Sequence, residues 1–144
     1  GLVLPLPREP IGVGARWRVD AQRELRKAQI TTHTTYTLTA LDGDRGEVSF
    51  DLTEGAVDQP YALPRLPKGA EVVLDRSDGA GSGTVSFDLG RLWPISGEQQ
   101  DRGTLEAHFE GPGIPRENLS TEWSSERRLA LDAEAPAAPG APIR

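Results

Sequence analysis

The stretch Ile30–Leu41 constrains this chain more than any other. It carries six threonines (Thr31, Thr32, Thr34, Thr35, Thr37 and Thr39) together with Ile30, Tyr36 and Leu38. β-Branched and aromatic side chains suit a pleated surface and are crowded on a helix, so this is a strand. Ile30, Tyr36, Leu38 and Ala40 share one parity and form its expected core side. Asp42–Gly43–Asp44–Arg45–Gly46 follows, and Asp and Gly tolerate the positive φ that a tight hairpin needs. Val48, Phe50 and Leu52 then alternate with Glu47, Ser49 and Asp51, the pattern of a return strand. The two runs predict an antiparallel hairpin.

Similar signals recur along the chain. Trp17, Val19 and Ala21 alternate with Arg16, Arg18 and Asp20, predicting a strand that runs to a turn near Arg26. Pro60 to Gly69 holds three prolines and reads as a loop or an edge cover. A second hairpin is expected from Ala70–Arg76, a glycine-rich turn Ser77–Gly83, and a return through Val85, Phe87 and Leu89 that ends at Arg91–Leu92–Trp93–Pro94. A third is expected from Thr104–Glu110, a turn at Gly111–Pro112–Gly113, and Leu119–Leu131. The fold class that follows is all-β, an antiparallel meander of about six or seven strands forming a curved half-barrel or a sandwich-like sheet. Residues 1–14 read as a Pro/Gly-rich lead, 15–133 as the β-domain, and 134–144 as an Ala/Pro-rich tail of polyproline character.

Composition narrows the function. At 144 residues the chain is one domain, with 36% hydrophobic and 6% aromatic residues, so its core is thin. Either that core is spread over many strands, or one apolar face is completed from outside the chain. A net charge of −6 repels nucleic acid and anionic headgroups. Arg8, Arg16, Arg18, Arg23, Arg26 and Lys27 make the first quarter locally basic, but Glu9, Asp20 and Glu24 interrupt them. With no cysteine, a disulfide, a thiolate metal site and a cysteine nucleophile are all excluded. The absence of methionine points to processing or to a piece of something longer. No apolar run reaches the ~20 residues of a membrane helix, so no transmembrane segment is expected.

Catalytic constellations are not apparent. The only histidines, His33 and His108, lie in separate strands among polar neighbours and read as surface or cross-strand residues. Asp42 and Asp44 lack the spacing of a calcium loop. Gly81–Ser82–Gly83 is one spacer short of a nucleophile elbow, and Gly79–Thr84 lacks the Lys of a phosphate loop. No catalytic, cofactor or metal residues are therefore expected, nor any cofactor, and the chain is expected not to be an enzyme. The bulky apolar mass lies in Trp17, Tyr36, Phe50, Phe87, Trp93, Phe109 and Trp123, which form either a sheet core or an apolar face for a partner or ligand.

The lead into the first strand is Pro5–Leu6–Pro7–Arg8–Glu9–Pro10–Ile11–Gly12–Val13–Gly14–Ala15–Arg16–Trp17. Its prolines lack backbone donors and bias their predecessors to extended geometry, so it reads as a linker docking a β-domain. This lead, the Thr-rich strand ending Tyr36–Thr37–Leu38, and Gly81–Ser82–Gly83–Thr84 through Asp88–Leu89 to Pro94–Ile95–Ser96 cover Pro5 to Ser96 in order. Together they resemble an uncharacterised family of exported bacterial proteins, a domain of unknown function, many of whose members are predicted lipoproteins. In that family such a lead joins two similar β-rich halves. The resemblance implies a C-terminal half located in the bacterial cell envelope (periplasmic or outer-membrane associated) or outside the cell, and it brings no activity with it. The function expected is a non-enzymatic binding or structural and assembly module for a protein partner or a missing N-terminal half. The alternative is a carrier of lipid or another hydrophobic ligand on the concave face of an open sheet.

Overall fold

The computed structural model describes residues 4–91 and 93–130, with Trp93 described by its backbone only. Six strands follow one another: β1 (Arg16–Leu25), β2 (Ala28–Asp42), β3 (Arg45–Pro60), β4 (Glu71–Asp88), β5 (Trp93–Glu110) and β6 (Asn118–Ala130). They form one open sheet in the order β1-β2-β3-β4-β5-β6, each antiparallel to the next. The described residues contain no helix. The expected tail, 134–144, and Leu131 at the end of the expected last strand lie outside the described residues.

Turn chemistry sets the two N-terminal hairpins. Arg26 and Lys27 both take positive φ, 47° and 70°, between the facing pair Leu25 and Ala28. That is the geometry of a two-residue hairpin loop whose twist matches the strands. Between Asp42 and Arg45, Gly43 takes φ 59° as the first of two loop residues.

The expected third hairpin forms, with β5 and β6 paired across residues 111–117, but the expected second is not the one the chain builds. Ser77–Gly83 is not a turn: β4 runs unbroken through it, and the chain reverses at Leu89–Arg91 instead. β5 begins at Trp93 rather than at Thr104. Gly79, Gly81 and Gly83 recur every second residue, so all three fall on one face of the strand. That face carries the core. Residue parity also changes along three strands, the shift on β5 falling at Ile95 near its start. A bulge between Leu38 and Ala40 turns Ala40 out to solvent, so it does not share the core side of Leu38. A second bulge, at Asp75 between Leu74 and Arg76, moves the core from Val72 and Leu74 to Ser77, Gly79 and onward to Val85 and Phe87.

The core-bearing face, called the inner face below, holds two buried clusters at opposite ends. Ala28, Ile30, Ala56 and Leu74 make one, with Leu25, Tyr61 and Leu105 packed against it. Leu38, Val48 and Phe87 make the other, flanked by Leu4, Ile11, Trp17 and Tyr36. Each end is capped by an irregular segment. The proline lead lies over the second cluster: Trp17 Nε1 donates to the Pro5 carbonyl at 2.7 Å, and the Gly14 N–H donates to Leu38 O at 2.8 Å. The lead is thus a docked cover for β1–β3. At the other end, Tyr61 N–H donates to Val72 O and Ala62 N–H to Arg26 O, which holds the Pro60–Gly69 loop on the first cluster.

Between the caps the sheet covers itself. Directly across from each inner-face glycine stands a larger residue: Gly46 faces Phe87, Gly83 faces Phe50, Gly79 faces Glu54, Gly81 faces Asp101, Gly97 faces Val85 and Gly103 faces Trp123. These side chains occupy the space above the glycines. A Cβ on Gly103 would fall 2.5 Å from Trp123 Cζ2, and one on Gly83 would fall 2.5 Å from Phe50 Cζ. Phe and Trp laid over a cross-strand glycine bury ring surface against backbone, which lets one layer of strands hide apolar area without a second layer. Glycine is required at Gly83 and Gly103 on two counts, because a β-carbon would lift the ring and would also strike the backbone carbonyl of Glu98 or Asp78.

Candidate functional site

The seven aromatics expected as a binding face do not act as one patch. Four of them gather at the capped end. Trp17 stacks on Tyr36 with centroids 5.5 Å apart and planes 18° apart, and Tyr36 meets Phe50 at 5.9 Å in a tilted contact. Phe87 lies in the cluster beneath the lead. Burial pushes the Tyr36 phenol above its ordinary pKa, opposed by a hydrogen bond with Thr34. Trp123 sits apart on β6 over Gly103 and Gly79. Phe109 is at the far end of β5, opposite Val72. The side chain of Trp93 lies outside the described residues.

The middle of the inner face is polar. Glu54, 11% exposed at its side chain, accepts a bond from Arg23 Nη2 at 3.1 Å. Asp101, 9% exposed, accepts from Gln99 Nε2 at 2.9 and 2.8 Å across its two oxygens. Thr32, Thr34 and Ser125 share the same face. Glu54 and Asp101 are thus acidic residues on the core-bearing face. Glu54 could have been found from parity, because it continues the series Val48, Phe50, Leu52. Asp101 continues Leu105 and Gly103 toward Gly97, but only once β5 is known to start at Trp93. Shallow depressions of about 580 and 720 Å³ follow β4 to β6; one is lined by Gly81, Asp101 and Ser125 among others, the next by Gly79, Gly103 and Trp123.

Among the described residues the outer face carries one buried titratable group. His108, on β5, is 5% exposed. Its Nδ1 lies 2.7 Å from Asp75 Oδ1 and its Nε2 lies 2.7 Å from Glu110 Oε1. Asp75 is the bulge residue of β4, so the extra residue there supplies the carboxylate. A carboxylate at each nitrogen favours the doubly protonated ring, in which both nitrogens donate. Hydrogen bonding to Glu110 and then to Asp75 raises the His108 pKa, against burial and the charge of Arg116. A ring held at both nitrogens has no free lone pair for base catalysis or metal ligation. His108 is a cross-strand residue, as expected, but not a surface one. His33 is exposed, with Nδ1 2.7 Å from Asp20 Oδ1. That contact, followed by the bond from Arg18, holds the Asp20 carboxyl below the usual range.

Among the described residues no three His, Asp or Glu side chains are placed to hold a metal ion, and no helix is long and apolar enough to cross a membrane. No family model, curated protein or solved structure matches this chain.

Proposed function

We propose that this chain is a non-enzymatic, exported β-domain that serves as a binding or assembly module in or outside the bacterial cell envelope, toward a protein partner or an N-terminal half. One observation carries the reading: among the described residues the sheet is a single layer whose inner face is capped by its own segments only at the two ends, and whose outer strands β1 and β6 each pair on one side. The face between the two clusters stands open to a partner, and an unpaired strand edge is a template for another chain. The exported location rests on the family resemblance of Pro5–Ser96.

The polar middle favours a protein partner over a lipid. An acyl chain laid between the two apolar clusters would cover Glu54 and Asp101 and replace water around two carboxylates with hydrocarbon, a costly exchange. A protein surface can return hydrogen bonds to both. Gel filtration with light scattering, together with hydrophobic-dye binding, tests the reading on the isolated chain. Self-association or dye binding is expected. A monomer that binds no dye overturns it.

A further inference from the structure

We propose that the outer edge of β6 is a self-association surface, on which a second copy of this chain adds its own β6 antiparallel about a two-fold axis through Ser125. It deepens the binding-module reading by naming the surface and the partner.

Among the described residues only β5 pairs with β6, so the other edge of a 13-residue strand presents unpaired backbone groups. Antiparallel pairing of two identical strands keeps inner face with inner face only when the axis passes through a residue, because a one-residue slip exchanges the faces. With the axis at Ser125, Glu122 stands opposite Arg128 of the second copy on the outer face, and Trp123 stands opposite its Arg127 on the inner face. Symmetry produces each pair twice. The neighbouring registers are worse. An axis at Ser124 sets Glu122 against Glu126, and an axis at Glu126 sets that residue against itself; like charges directly opposite are destabilising. The Ser125 register also places a guanidinium beside each Trp123 ring, a cation–π contact.

The other edge is less suited. On β1, Arg18 and Asp20 are bound to each other, Asp20 also meets His33, and Arg23 is bound to Glu54. On β6, Arg128 is held by Glu126 in an exposed pair at 3.2 Å, a weak contact that a facing Glu122 can replace, while neither Glu122 nor Arg127 makes an ion pair among the described residues and both are exposed. The β1 charges without an ion pair among the described residues, Arg16 and Glu24, lie near its two ends, whereas Glu122 and Arg127 flank Ser125.

The chain has no cysteine, so one introduced thiol reports the register cleanly. Ser125→Cys puts two thiols on the axis, at the ~4.5–5.5 Å Cα spacing of facing residues that a disulfide spans. Ser120→Cys puts them ten residues out of register, about 33 Å apart. Sedimentation of the wild type is expected to show a dimer, and mild oxidation should link Ser125→Cys but not Ser120→Cys. Glu122→Arg should weaken the dimer by about tenfold to a hundredfold, and adding Arg128→Glu should restore it. A wild-type dimer in which Ser125→Cys links no faster than Ser120→Cys overturns the β6 pairing and leaves the module reading standing. A wild-type monomer that binds no dye overturns both.

Discussion

Replacing Gly46 by alanine in two backgrounds isolates the contact on which the single-layer sheet depends. Gly46 faces Phe87 across β3 and β4, and a Cβ there would fall within 3.0 Å of three atoms of the Phe87 ring. No backbone atom lies that close, so the clash is with one side chain. The ring cannot swing away freely: Phe87 is 6% exposed and packed on Leu38 and Val48, which are fully buried. Overpacking of this kind costs about 2 kcal/mol, so Gly46→Ala should destabilise by roughly that amount. Phe87→Ala should cost about 3 kcal/mol in lost burial and cavity. In the Phe87→Ala background the space above Gly46 is empty, and the same Gly46→Ala change should stabilise by about 0.5 kcal/mol because glycine is a poor strand residue. The coupling between the two sites is then about 2.5 kcal/mol, well above the scatter of independent sites. Urea unfolding followed by circular dichroism measures it as shifts in midpoint at constant slope. Equal cost of Gly46→Ala in both backgrounds would refute the cross-strand packing account.

Further consequences follow from the same geometry. Gly83→Ala and Gly103→Ala, whose Cβ would strike the Glu98 or Asp78 backbone carbonyl as well as the ring, should each cost at least about 2–3 kcal/mol, whereas Gly55→Ala, whose Cβ would meet the Ser77 carbonyl at 3.5 Å and Asp78 Oδ1 at 4.0 Å, should stay within about 0.5 kcal/mol of wild type by the same urea assay. The His108 pKa is raised by the fold, so its contribution to stability is fully present below its ordinary value of 6.5 and is lost as pH rises through the higher folded value. The urea midpoint of the wild type should therefore fall relative to that of His108→Gln over that interval, and an NMR titration should place the His108 midpoint above 6.5; a midpoint below it contradicts the paired-carboxylate geometry. Trp17→Phe keeps the stack on Tyr36 but removes the bond to the Pro5 carbonyl, and should cost about 1 kcal/mol while exposing the lead to limited proteolysis.

The parts of the fold legible in the sequence are those where side chains speak for themselves. Ile30–Leu41 and Val48–Leu52 pair as expected because β-branched and aromatic residues dominate both, and Gly43 sits where a positive φ is required. The turn near Arg26 was legible for the opposite reason: the charged run simply lost its alternation there. The glycine run was not legible, because glycine signals a turn by its backbone and only its spacing of two reveals a strand. Its partners Phe50, Asp101 and Trp123 lie elsewhere in the sequence, so the physical reason for the glycines exists only across strands. The bulges at Leu38 and Asp75 hid the continuity of the inner face by switching parity midway. The first half of β5 carries Gln99, Gln100, Asp101 and Arg102 and has no apolar pattern to announce it. Of the candidate face, Trp17, Tyr36 and Phe50 come together across β1, β2 and β3, while the partner of His108 is Asp75, thirty-three residues away in sequence.

The central claim is that Gly79, Gly81 and Gly83 form the floor of a strand on which neighbouring side chains lie. A nuclear Overhauser spectrum of the labelled chain tests it most directly. The account predicts contacts from the Phe50 ring to the Gly83 α-protons and from the Trp123 ring to those of Gly103, with those protons displaced upfield by the rings and the backbone shifts of Ser77–Gly83 those of a β-strand. Turn-like shifts across Ser77–Gly83, with no ring contact at either glycine, would contradict it.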